Sequence, residues 1–274
     1  MTPTTTSRRP SGRAYLLITG FAVLLVLFPF LFWYGTWFGR RLTDKEISEY
    51  LNNAAAKPRK AQHALVQIGE RLGRGDPRAR EWYPKIAEMV SNPSIELRQT
   101  AAWLMGQDHT YEPFHAVLLK LLADTAPMVR RNSALSLTNF GDAAGRAELL
   151  AMLHSYSITA PVAGPVRYRL KAGEYVNPGT LVGRVGETEI RSLLPGEVLL
   201  LSRRDGATVA AGDVMAELSP DKEHAWEALR ALLRVGRRQD LHDVQRYARG
   251  VAGMPDRVRQ QAALTAQEIQ SRGQ

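Results

Sequence analysis

Three kinds of hydrophobic patterning divide the chain. The first is a block without any charge, residues 14–38, AYLLITGFAVLLVLFPFLFWYGTWF. As a helix, 25 residues would rise about 37 Å, enough to cross a hydrocarbon core. Trp33, Tyr34, Trp37 and Phe38 crowd one end, where aromatic rings favour the headgroup zone, and Arg40 and Arg41 follow. The run is too long for a signal peptide, and no small-x-small cleavage site follows it. It predicts a retained single-pass transmembrane helix after a tail of residues 1–13. A short tail before a first helix defaults to the N-terminus inside. That places the chain in a bacterial inner membrane with its bulk leaning to the periplasmic side.

The second pattern has helical periodicity and occupies residues 44–155 and 222–272. Three segments look alike: PSIELRQTAAWLMGQ from Pro93, PMVRRNSALSLTNFG from Pro127 and PDRVRQQAALTAQEI from Pro255. Each opens on Pro, suited to a first helical turn. Each then sets an apolar residue before Arg98, Arg130 or Arg259, and small residues follow: Ala101 and Ala102, Ala134, Ala262 and Ala263. Arg98 and Arg130 lie 32 positions apart, with a second amphipathic run, FHAVLLKLLAD, between them. A period near 32 with two helices per unit predicts an α-solenoid. The arginines are expected to pack or cap helices.

The third pattern, residues 157–220, is rich in Val, Leu, Gly and Pro, with short apolar runs between turns. It predicts β structure in two similar halves. Ile158 matches Ile190, Gly164 matches Gly196 and Val166 matches Val198, each 32 apart. Gly173 matches Gly206, Val176 matches Val209, Gly179 matches Gly212 and Val185 matches Leu218, each 33 apart. Two such halves would interlock about a pseudo-twofold axis. The predicted fold class is mainly α with a β insert.

Two resemblances rest on these residues. The Pro-x-x-Arg-x-x-Ala segments resemble HEAT repeats, especially the short HEAT-like type named after phycobilisome lyases; this implies stacked helices that hold another protein. Ala160-Pro161-Val162-Ala163-Gly164, Leu194-Pro195-Gly196 and the turns Lys171–Gly179 and Arg204–Asp213 resemble the biotinyl/lipoyl-type barrel-sandwich hybrid. In the carrier branch of that family a lysine in the hairpin between the halves takes the cofactor. Here that hairpin reads Gly183-Arg184-Val185-Gly186-Glu187-Thr188-Glu189, with Val185 in the lysine's place and Lys171 far off in the first-half turn. An amide-linked cofactor needs a primary amine, which arginine does not supply. The resemblance therefore implies a barrel without a swinging arm and no cofactor. The unmodified branch includes adaptor subunits of bacterial export systems.

Composition adds mainly exclusions. The chain has 274 residues and no cysteine, so disulfides, thiolate nucleophiles and Cys-based zinc sites are absent. Its net charge of +9 includes Arg8, Arg9 and Arg13, and elsewhere basic residues interleave with acids. No stripe of arginines with aromatics appears, so nucleic acid is not an expected partner. His109 and His115 lie near Asp108 and Glu112, at a spacing that matches no metal-ligand motif. Glu187 and Glu189 suit a surface strand better than acid–base work. No catalytic, cofactor-binding or metal-ligating residue is nominated. The expected function is a non-enzymatic, membrane-anchored scaffold or adaptor for protein partners, with homo-oligomers allowed. The alternatives are a periplasmic adaptor of an export system and, further off, a biotin or lipoate carrier.

Overall fold

The computed structural model describes residues 12–33 and 40–272; within 12–33, side chains are described at Leu16 and at residues 18–31. Two compact units result, residues 1–46 and 47–274. In the first, helix α1 spans Gly12–Trp33, and its described side chains are exposed. Among the described residues no helix is long and apolar enough to cross a membrane. The expected transmembrane helix over 14–38 is therefore not supported. The inner-membrane, periplasm-leaning location and the membrane as partner rested on that helix and fall with it. Tyr34, Trp37 and Phe38 of the expected aromatic belt lie outside the described residues. Helix α2 (Asp44–Asn52) starts with a reciprocal cap: Glu46 N–H donates to Thr43 Oγ1 at 3.3 Å, and Thr43 N–H donates to Glu46 Oε2 at 2.9 Å.

The fold class also needs correction. Among the described residues the chain is mixed α/β, with eleven α-helices and two four-stranded antiparallel sheets, rather than mainly α. The physical reason is that eight strands close a hydrophobic core of their own, including Val166, Val182, Val198, Met215 and Leu218. Helices α3 (Pro58–Gly73), α5 (Ile95–Met105), α7 (Pro127–Asn139), α9 (Lys222–Val235) and α11 (Asp256–Ser271) pack each against the next. Helices α4 (Tyr83–Glu88), α6 (Glu112–Leu121), α8 (Arg146–Ala151) and α10 (Leu241–Arg249) alternate with them along the chain.

The repeat arginines close the turns between units. Arg98 grips Asp124 with two bonds, 2.7 and 2.9 Å, and donates to the carbonyls of Asn92 and Pro93. Arg130 repeats this 32 positions on, donating to the carbonyls of Asp124 and Thr125 and, through Nε, to Glu148. Gly106 is needed where α5 meets α7, because a Cβ there would lie 2.4 Å from Ser136 Oγ.

The strands are β1 (Tyr156–Thr159), β2 (Gly164–Tyr168), β3 (Tyr175–Val176), β4 (Leu181–Val185), β5 (Thr188–Arg191), β6 (Gly196–Leu201), β7 (Thr208–Val209) and β8 (Val214–Leu218). They form sheets of order β1-β8-β6-β3 and β5-β4-β2-β7. Advancing every strand by four turns one order into the other, so each half contributes two strands to each sheet. The matched pairs Ile158/Ile190, Val166/Val198, Val176/Val209 and Val185/Leu218 are all buried. This β module leaves the helical stack after α8 and returns at α9. The stack stays continuous across it: Leu149, Met152 and Leu153 share one core with Leu229, Leu232 and Val258.

Candidate functional site

The layer of α3, α5, α7, α9 and α11, here called the inner layer, carries a groove of about 610 Å³ across its last four helices. Trp103 of α5 lines it and is 43% exposed. On the other side its indole presses on α3 at Gly69, where a Cβ would come within 2.8 Å of the ring. Any larger residue at 69 would push the tryptophan from its seat, so the glycine's missing side chain fixes Trp103.

Helix α7 supplies Asn132 and Asn139, seven residues apart and so on one helix face. Asn132 Nδ2 donates to the Gln99 carbonyl and Asn139 Nδ2 to the Gly106 carbonyl, both at 3.0 Å. The two amides lock α7 to α5 while lining the groove. From α9, Arg234 donates to Asn139 Oδ1 at 2.8 Å, and Arg230 and Glu227 lie one and two turns back. Burial and the nearby Glu223 carboxylate push Glu227 above the usual carboxylate range. The groove thus offers an aromatic plate, two guanidinium groups, anchored amides and one carboxylate that accepts a proton more readily than usual. This set suits recognition of a polar chain, and it has no nucleophile held against a base.

A polar joint lies where the β module meets the stack. Asp221 caps α9, accepting from the N–H groups of Glu223 at 3.1 Å and His224 at 3.0 Å. The Tyr175 hydroxyl of β3 donates to the same carboxylate at 2.7 Å. Burial opposes the Asp221 charge, yet these bonds hold its pKa below the ordinary value. Burial first and the Asp221 bond second push the Tyr175 hydroxyl up to about 12. On the other side of α9, Arg131 Nη1 lies 3.0 Å from His224 Nδ1. With arginine as donor, His224 must present its lone pair and be neutral there.

The residues singled out in the sequence disperse. Asp108 accepts from the Tyr83 hydroxyl at 2.7 Å and pairs with Arg80 at 2.8 Å. His115 turns to Asp142 at 2.7 Å and to Glu112 at 3.3 Å, and His109 is exposed. Among the described residues no group of three or more His, Asp or Glu could hold a metal. Glu189 pairs with Arg184 and Arg191, Glu187 lies at the hairpin tip and Lys171 is exposed. Val185 is buried, so the hairpin tip is Gly186-Glu187, one position beyond the place read for a carrier lysine. The groove residues escaped the sequence reading. The only signal was Trp103, which breaks the small and apolar run of α5 on its outward side.

Residues 83–159 match the family model for HEAT repeats, a little over a quarter of the chain. That stretch runs from α4 through α8 and ends with β1. HEAT repeats are thus present in this chain. No curated protein matches it.

Proposed function

We propose that this protein is a non-enzymatic scaffold that holds a segment of another protein along the inner-layer groove. The observation that carries the reading is Trp103, a rigid aromatic side chain 43% exposed beside Arg230 and Arg234. Tryptophan and arginine are the side chains that most often anchor protein interfaces. A photo-crosslinking residue at position 103 in growing cells tests this. A defined protein adduct, lost when Arg230 and Arg234 are both replaced by Ser, is the expected result. Equal labelling from position 264, where Leu264 is also exposed but outside the groove, would sink the idea.

We also read the β module as an unmodified barrel of the biotinyl/lipoyl type. Its support is the four-strand permutation of the two sheets and the two-residue hairpin that joins the halves. The hairpin tip Gly186-Glu187 has no amine to modify. The intact mass of protein from its native cells should equal the sequence mass; an added biotinyl or lipoyl mass would overturn the reading.

A further inference from the structure

The two sheets of the β module repeat each other inside and differ outside. Across the outer face of sheet β5-β4-β2-β7, Glu189, Arg184 and Arg167 stand in one row, as the strand registers Arg184↔Glu189 and Arg167↔Arg184 require. Arg191 stands two residues along β5 from Glu189, and Arg169 follows the last residue of β2, its N–H still donating to the Val182 carbonyl of β4 at 3.0 Å, so both flank the row; all five are exposed. The positions related by the internal repeat are Ser157, Glu217 and Leu199 for the row. The repeat equivalent of Arg184 is thus a glutamate and that of Arg167 a leucine. The inward neighbours Val166/Val198 and Val185/Leu218 stay apolar. The core is shared between the halves, whereas the basic face belongs to one sheet alone.

That basic face is electrostatically incomplete. Like charges directly opposite on paired strands destabilise a sheet, and Arg167 lies directly opposite Arg184. Gly183 enforces the close approach of β2 and β4, since a Cβ there would lie 2.5 Å from the Arg167 carbonyl. Glu189 answers Arg184 at 2.7 Å and Arg191 at 2.8 Å. Its one carboxylate is thereby shared, and among the described residues Arg167 and Arg169 have no acidic partner.

We infer that this face is a docking surface for an extended acidic segment of a partner protein. Arg167 and Arg169, the latter just past the end of β2 but still bonded to β4, are two residues apart, a spacing of about 7 Å in extended chain. Carboxylates at alternate positions of an extended chain repeat at the same interval, so the segment can pair both arginines without bending. A nucleic acid fits less well. No aromatic side chain stands among the five outward residues to stack a base, and Glu189 repels a continuous line of phosphates. The inference does not depend on the groove.

The test uses the full chain and fluorescence anisotropy of a labelled peptide alternating Glu and Ser over eleven residues. The same peptide with Lys for Glu and a single-stranded oligothymidine serve as competitors of different chemistry. The acidic peptide should bind, and more weakly as salt rises. The double variant Arg167→Thr/Arg169→Thr should weaken binding about tenfold. The control Arg59→Thr/Arg249→Thr removes the same charge elsewhere and should leave it unchanged. The reversed variant Arg167→Glu/Arg169→Glu should lose the acidic peptide and take up the lysine one. No binding, an equal loss in the control, or tighter binding of the oligothymidine would each overturn the inference.

Discussion

The helices before and after the β module solve the same stacking problem with different side chains. In α5 and α7 the unit begins with Leu97-Arg98 and Val129-Arg130, and the arginine clamps the carbonyls of the turn before it. In α9 the equivalent pair is His224-Ala225, judged from the inter-helix bonds. Ser136 donates to the Ala102 carbonyl and Thr265 to the Leu229 carbonyl, each at 2.8 Å. These bonds put Leu229 where Ala102 stands, five residues after Leu97 and His224 respectively. The arginine is gone where the short turn is gone, because the whole β module occupies that place. Asp221, tied to Tyr175 of the module, caps this helix as Ser94 caps α5, so the cap is kept where the clamp is lost. A repeat therefore tolerates a large insertion at the turn its arginine would otherwise close, while the helix cap at that turn is retained.

The comparison breaks most sharply at Arg98. Its side chain and that of Asp124 are 11% and 8% exposed, so Arg98→Ala leaves a buried carboxylate that keeps the Ala126 N–H but loses its two-bond guanidinium partner. The expected cost is about 3–5 kcal/mol in urea unfolding. A loss under 1 kcal/mol would show that the clamp is incidental to stacking.

The next effect is pH dependence at the joint. Burial, then the Arg131 guanidinium, holds the His224 pKa below its ordinary 6.5, against the weaker pull of Asp221 and Glu223. Above 6.5 the histidine is neutral in both folded and unfolded chains, and pH has no leverage through it. Below 6.5 the unfolded chain takes up a proton that the folded one resists, so stability falls as pH drops until the folded pKa is passed. Thermal unfolding should therefore occur at lower temperature at pH 5 than at pH 7, and His224→Gln should flatten that slope. An unchanged slope in the variant would assign the dependence to other groups.

A smaller effect tests the likeness of the two flanks. Ser136→Ala and Thr265→Val each remove one buried hydroxyl bond to the preceding inner helix and should each cost about 1 kcal/mol. Unequal costs, one near zero and one above 2 kcal/mol, would mean that the flanks are not equivalent. The smallest change is expected at Arg259, the third arginine of the sequence pattern. Among the described residues its one ion pair is with Asp256 at 3.1 Å on the surface, and both side chains are more than half exposed. Arg259→Ala should stay within about 0.5 kcal/mol of the parent in the same urea titration.

Local chemistry made several features legible in the sequence. The 32-residue spacing of Arg98 and Arg130 reflects a unit that must bury one face on its neighbour, and the turns they close do repeat at that interval. The Val and Gly matches of the β segment mark strand positions and turns that each half must fill alike. The same local reasoning misled at residues 14–38, where the absence of charge was taken for a spanning length. It also undercounted the strands' share of the fold, because short strands carry a weak pattern each and become a class-defining core only when two halves interlock.

What only the tertiary structure decided is which polar side chains meet. The groove draws Trp103, Asn139 and Arg234 from α5, α7 and α9, with the whole β module lying between the last two. The joint brings together Arg131, Tyr175 and Asp221 from a helix, a strand and a cap. Periodicity reports which way a side chain points from its own element. It carries no information about what arrives from the other side, and for charged and hydrogen-bonding groups that neighbour sets the chemistry.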